Sequence, residues 1–337
     1  MPVRNEERYI RASLKSLVDQ NYLASDLEII VVEGRSSDRT LEIVEDIRRQ
    51  NPRIRCLDNR AGIVPTAMNI GIRAAQGDVI IRADGHTLYP PDYAANCVKY
   101  LAETGADNVG GPLITVPVDE SFGAAIVAAV LSSPFGVGNS KFRTSKKEGF
   151  VDTVPFGAFR RTIFDRVGLY NEKLVRNQDS ELNARIRKAG GRIYLSPALT
   201  TRYYPVKRFL ELLEYGFKTS QWHIFTLREN RESNRLRHLA PAAFLLLLLV
   251  WLPVSVASAG ARPLLLALMG AYLLAGFYFS LRFKDKNILS VALVQPFACF
   301  CFHVAYGAGT LFGLRYLFQQ PSSMPIRSGL PIQEKVK

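Results

Sequence analysis

Residues 28–40 read EIIVVEGRSSDRT. Ile29, Ile30, Val31 and Val32 are consecutive β-branched residues, so the spacing predicts a strand over 27–33. Glu33 closes that strand. Gly34 then permits a sharp turn. Ser36 or Ser37 can cap a following helix, and Asp38 lies near its positive end. Residues 38–50 read as that helix, with Leu41, Val44 and Ile47 on one side. Working outward, a helix over 9–18 precedes this unit. Beyond it come a strand at 54–58 (IRCLD), a helix over 63–75, a strand at 78–84 (DVIIRAD), a helix over 93–103 and a strand from 108. This βαβαβα order predicts an α/β fold, a mostly parallel sheet with helices on both faces. Such sheets take ligands outside the carboxyl ends of their strands. The chain opens MPVRNEERYI, with no apolar export segment. Only the stub 1–4 precedes the first helix, so the first strand is expected to be truncated or missing.

The chain has 337 residues, 48% hydrophobic and 22% charged. That excludes disorder and low-complexity classes. The apolar residues are unevenly spread. Uncharged runs cover 239–261, 263–281 and 288–314. A bilayer core needs about 20 apolar residues, so three spans are expected at 239–260, 263–281 and 290–314; the competing reading is a re-entrant hairpin of the first two. The expected plan is a soluble domain over 1–205, an interfacial amphipathic linker over 206–237, an all-α membrane anchor over 238–318 and a tail over 319–337. The linker mixes Phe209, Leu213 and Trp222 with Lys207, Arg208 and Lys218, as a helix lying in a membrane surface does; its alternative is packing on the soluble domain. The run GAAIVAAV, 123–130, reads as a helix near the membrane or over the site.

The net charge is +13. Four arginines against two glutamates lie within 228–237, directly before the first apolar run. Anionic membrane lipid is therefore the expected partner, and nucleic acid is not. The basic link 282–287 fits a multi-pass protein of the inner or plasma membrane with its soluble domain cytoplasmic. Four cysteines without a C-x-x-C pair, and four scattered histidines, give neither a disulfide framework nor a zinc site.

Three carboxylate stretches could carry chemistry. Glu33 and Asp38 stand at the first crevice, where the alternatives are ligand contact and helix capping. In IRADGHT, 81–87, Asp84 follows an apolar strand and would suit a divalent metal bridging a diphosphate; His86 could ligate the metal or touch phosphate. In RNQDSELNARIRKAGGRI, 176–193, Asn177 or Asp179 opens a helix, Leu182 and Ile186 face inward, and Gly190–Gly191 stops it. Asp179 and Glu181 point to different faces, and an ionised Asp179 suits a general base. Arg160 and Arg161 in PFGAFRR, 155–161, are candidate phosphate contacts. There is no G-x-G-x-x-G and no Walker loop.

In their order and spacing, PVRNEE (2–7), VVEGRSSDRT (31–40), RADGHT (82–87), VGGP (109–112), PFGAFRR (155–161) and NQDSELNARIRKAGG (177–191) resemble the family 2 glycosyltransferases of GT-A fold, in the branch that serves succinoglycan biosynthesis. The resemblance implies sugar transfer from a nucleotide-sugar with inversion, aided by Mn²⁺ or Mg²⁺. It implies that Glu33 meets the nucleobase, that Asp38 supports the nucleotide pocket, and that Asn5 and Glu6 border the nucleotide. Asp84 falls at the last Asp of the family's D-x-D, and Asp179 at its catalytic base. The sequence departs at Arg82, where the motif has its first Asp, and at Glu33, where Asp is usual. The processive Q-x-x-R-W is absent, Gln221-Trp222-His223 being a partial echo, which implies addition of one sugar or few. The expected acceptor is a lipid-linked saccharide in exopolysaccharide or cell-surface glycan synthesis, with a polysaccharide assembly complex as a candidate partner. The competing readings are a polyprenyl-phosphate glycosyltransferase and a non-catalytic membrane subunit of such a complex.

Overall fold

The run of β-branched residues forms a strand at Ile29–Glu33, and four of its five residues are buried. A strand covered on both faces has no polar side to show, which is why the run lacks alternation. The computed structural model describes residues 1–138, 140–145, 147–233, 238–283 and 288–318. These residues divide into two units, one of 1–114 with 145–204, the other of 115–144 with 205–318.

The first unit begins with β1 (Pro2–Val3), α1 (Ile10–Val18), β2 (Ile29–Glu33), α2 (Thr40–Gln50), β3 (Ile54–Asp58), α3 (Val64–Ala74), β4 (Val79–Ile81), β5 (Thr87–Leu88), α4 (Tyr93–Thr104), β6 (Asn108–Gly110) and β7 (Leu113–Thr115). The chain then contributes α5 (Phe122–Ser132), α6 (Pro134–Val137) and α7 (Lys141–Thr144) to the second unit. It returns with β8 (Gly149–Phe150), β9 (Ala158–Arg160), α8 (Thr162–Val167), α9 (Gln178–Lys188), β10 (Ile193–Leu195) and β11 (Thr201–Tyr203). Strands β1, β2 and β3 pair in parallel, with Val3, Glu33 and Asp58 in one row. The stub 1–4 does make a short strand: Val32 N–H donates to Met1 O and Gly34 N–H to Val3 O, each at 2.8 Å. A second sheet runs β4-β9-β6-β10-β8, in which β9 is antiparallel to both its neighbours. A third, β5-β11-β7, is small.

Apolar side chains hold α1 and α2 to the first sheet. Ile10, Leu14, Ile43 and Val44 form one buried cluster with Val3, Ile29, Val31 and Ile54. On the second sheet, Tyr93, Cys97 and Leu101 of α4 pack with Val109 and Ala158. The strand expected over 78–84 ends at Ile81. Arg82 N–H still donates to Gly157 O at 3.0 Å, after which the chain leaves the sheet.

The second unit adds α10 (Phe209–Glu229), α11 (Ala240–Ala257), α12 (Arg262–Ser280) and α13 (Ile288–Gly313). The last three helices are long and apolar enough to cross a membrane. The boundary drawn at 205 omits a feature of the tertiary structure: residues 115–144 pack here. Ile126, Val127, Val130 and Leu131 of α5 cluster with Leu212, Val291, Cys299 and Phe302. Helix α5 is buried nearly all round, so its apolar residues show no helical stripe. Helix α10 packs along α13, where Gly216 meets Phe302 and Gly309 meets the Phe217 carbonyl. Of the charged segments, Arg235, Arg237, the link residues 284–287 and the tail 319–337 lie outside the described residues.

Candidate active site

The carboxyl ends of β1 and β2 form one hydrogen-bonded rim. Glu33 is buried and accepts the N–H groups of Arg35 (2.9 Å) and Ser36 (2.6 Å). Asn5 donates its N–H to Ser36 Oγ (3.0 Å), and its Oδ1 accepts from Ser37 N–H (2.8 Å). Asp38 accepts the N–H groups of Glu7 (3.1 Å) and Thr40 (3.0 Å). Asp38 thereby satisfies the first helical N–H, that of Thr40, while Ser36 serves Asn5. The Glu6 N–H donates to Thr40 Oγ1 (2.6 Å), and its carboxylate reaches His86 Nδ1 (2.8 Å). Asn5, Glu6, Glu33 and Asp38 are thus brought together with two loops locked to each other.

Beside this rim, Arg82, Asp84 and Asp179 converge. The Arg82 guanidinium is only 5% exposed and forms an ion pair with Asp179. It also faces both oxygens of Asp84 at 3.3 Å. Its face lies over the Phe156 ring, 5.7 Å from the centroid. Burial works against the charge on Arg82, but Asp179 and Asp84 outweigh it and hold the guanidinium firmly protonated. Desolvation raises Asp179 above the ordinary carboxylate range against the pull of Arg82, and Asp84 adds to the rise. Glu181 points elsewhere, to Arg185 at 2.8 Å, and Leu182 and Ile186 are buried as expected.

The supports of this cluster come from distant elements. Ser13 Oγ on α1 shares its proton between Asp84 O (2.8 Å) and Thr87 O (2.7 Å). Asn69 on α3 pairs with both backbone groups of Tyr170, each at 2.9 Å. The buried Tyr170 phenol adjoins Arg82 and Asp179, and burial raises its pKa. Among the described residues, the non-glycines with positive φ are Asn5, Arg35, Phe156 and Asn177, at 55°, 58°, 46° and 62°. All four flank the rim or the arginine cluster. Such backbone costs about 1–3 kcal/mol each and collects at functional sites. Ser13, Asn69 and Tyr170 carry no signal in sequence, because each matters only through a partner far along the chain.

Two expectations are corrected by the geometry. Arg160 pairs with Val79, at the opposite end of β4 from Asp84. Its guanidinium donates to the carbonyls of Leu101 and Ala106. Arg161 lies beside it, donating to Gly77 O and, from its backbone, to Asp78 O. Both lie a strand's length from the cluster, so neither is a phosphate contact there. The metal pair Asp84 and His86 is not assembled either. His86 gives Nδ1 to Glu6, which overcomes burial and lifts its pKa to about 9. A metal ligand must be neutral imidazole. Asp84 faces a guanidinium, and among the described residues no three His, Cys, Asp or Glu side chains form a metal-binding group. By themselves, without a diphosphate to share the ion, these side chains do not make a closed seat for a divalent cation.

The comparisons with known proteins agree with this architecture. The profile of glycosyl transferase family 2 matches residues 1–168. The succinoglycan biosynthesis protein ExoA of Rhizobium meliloti is 31% identical over 242 residues, covering 71% of this chain and 70% of that protein. A dolichyl N-acetyl-α-D-glucosaminyl phosphate 3-β-D-2,3-diacetamido-2,3-dideoxy-β-D-glucuronosyltransferase of Methanococcus voltae is 26% identical over 326 residues, 93% of this chain and 95% of that one. In fold, the chain is similar to a mannosyltransferase from Pyrobaculum calidifontis, solved with GDP-Man and Mn²⁺, with a TM-score of 0.62 and 20% identity over 90% of this chain and 85% of that one. With the motif order, the sheet and these relatives in agreement, the chain belongs to glycosyltransferase family 2, as a transferase with a GT-A catalytic unit.

Proposed function

We propose that this protein moves one sugar from a nucleotide-sugar to a hydroxyl of a membrane lipid-linked saccharide, with inversion, in exopolysaccharide or cell-surface glycan synthesis. The observation that carries the reading is Asp179, a part-buried carboxylate with raised proton affinity beside a buried cation. A base works best when its pKa approaches the operating pH. Asp179 takes the proton of the acceptor hydroxyl. The freed oxygen attacks the anomeric carbon on the face opposite the diphosphate, and the bond from that carbon to the diphosphate oxygen breaks. The nucleoside diphosphate leaves with the electron pair. The locked rim of Asn5, Glu6, Glu33 and Asp38 borders the nucleotide. No step is routed through Mn²⁺ or Mg²⁺, because the side chains present do not by themselves form a closed seat for either.

The acceptor class rests on two supports. The chain carries three helices of membrane-spanning length and apolarity. The relative that aligns over 93% of the chain is named for a dolichyl-linked sugar substrate. That name favours a lipid-linked saccharide over bare polyprenyl phosphate as acceptor. The catalytic unit is placed on the cytoplasmic side of the inner or plasma membrane, where anionic lipid meets the basic segments.

The test uses membranes containing the full chain, a lipid extract and labelled nucleotide-sugars. Label should enter the lipid phase from one donor with wild type. Asp179→Asn should still bind that donor and lose turnover by about 10²–10⁴-fold. An Asp179→Asn enzyme that turns over like wild type overturns the base. Label that enters only a water-soluble product overturns the lipid acceptor.

A further inference from the structure

We infer that Arg82 is itself the cation of the diphosphate site, so that the donor binds without a divalent metal. The inference rests on the nucleotide-sugar reading above. Arg82 stands two residues before Asp84, where the D-x-D motif has a carboxylate. An aspartate there would face Asp84 and Asp179 with like charge and require a metal to hold the three together. An arginine reverses the sign. It pairs with Asp179 and faces Asp84, leaving the trio one negative charge in excess instead of three.

Every contact from the Arg82 guanidinium to Asp84 is 3.3 Å. Charge-assisted N–H···O bonds are normally about 2.7–2.9 Å. The N–H groups facing Asp84 are therefore held loosely, and a diphosphate oxygen can replace that carboxylate on them. The rest of the residue is fixed. Its backbone N–H donates to Gly157 O at 3.0 Å, and the guanidinium lies over Phe156, whose own backbone has φ 46°. A fixed fork of donors at a developing oxyanion is what diphosphate departure requires. Because the same guanidinium pairs with Asp179, it also couples the base to the leaving group. As the diphosphate draws the positive charge, Asp179 loses part of its counter-charge and becomes the stronger base.

The experiment is titration of the full chain in detergent with UDP, GDP, CDP and ADP, in excess EDTA and in Mn²⁺. The expected result is one nucleoside diphosphate whose Kd differs by less than about threefold between the two media, since no metal bond is lost. Arg82→Gln should weaken it by about tenfold or more in both media. Arg82→Asp should bind only with Mn²⁺, and Mn²⁺ should raise its Tm while leaving that of wild type unchanged. The wild-type titration decides alone if a variant fails to fold. Binding by wild type that vanishes in EDTA and returns with Mn²⁺ overturns the inference and leaves the donor reading standing. Binding of none of the four in either medium overturns both.

Discussion

A general base has to be ionised when the acceptor arrives and still hold a proton well enough to draw it away. Asp179 meets both needs because desolvation raises its pKa while Arg82 keeps the ionised form populated. The sign has two consequences. The acid limb of kcat/KM should fall with an apparent pKa above that of a free aspartate, measurable in a pH–rate profile. The same group lowers stability as pH rises from the unfolded pKa through the folded one, because the folded state binds the proton more tightly. His86 runs the same way, with the causes reversed. Its pKa is lifted from 6.5 to about 9 by Glu6, in spite of burial. Its contribution is complete below 6.5 and is lost as pH rises through about 9. Glu6→Gln should therefore cost on the order of 2–3 kcal/mol at pH 6 and flatten that stretch of the stability profile, as read by urea unfolding. The carboxylates themselves were legible in the sequence, because each follows a strand or opens a helix. Their pairing was not: Arg82 and Asp179 lie 97 residues apart.

Between residue and domain, single polar side chains fasten one element to another. Asn69 on α3 is buried and pairs with both backbone groups of Tyr170, while its amide also meets Glu172 at 2.7 Å. Asn69→Ala would leave the Tyr170 N–H and carbonyl buried and unpaired. The expected cost is about 2–4 kcal/mol by denaturant unfolding. Because Tyr170 adjoins Asp179, kcat should fall more than KM rises. An Asn69→Ala enzyme with unchanged kcat would separate the α3 contact from the site. Strand and helix positions were readable from local periodicity, with β3 matching at both ends. The reading failed where pairing is non-local. Residues 82–84 looked like strand because of the apolar run before them, yet β9 accompanies β4 only as far as Ile81. Arg160 looked available to phosphate because the sequence does not show that β9 runs antiparallel.

For the whole molecule, the apolar helices and the basic charge make one prediction. The full chain should sediment with membranes and resist alkaline carbonate, and extraction by carbonate would contradict spanning helices. The packing of residues 115–144 makes another. Helix α5 buries Ala124 to Leu131 against α10 and α13. A fragment ending at residue 204 would leave that face bare, and it should aggregate on size-exclusion chromatography. A monodisperse fragment would show that α5 has another partner.

The sequence by itself determined the alternation of strands and helices, the acidic residues at their junctions and the three apolar runs. Each of these is written in neighbouring residues, through backbone preference, periodicity and hydropathy. Only the tertiary structure decided that Arg82 binds two carboxylates, that Arg160 and Arg161 face away from them, that His86 is held by Glu6, and that α5 joins the apolar helices. Those outcomes depend on which distant groups share a desolvated space. There a charge must find its partner, and an apolar face its cover, whatever the separation along the chain.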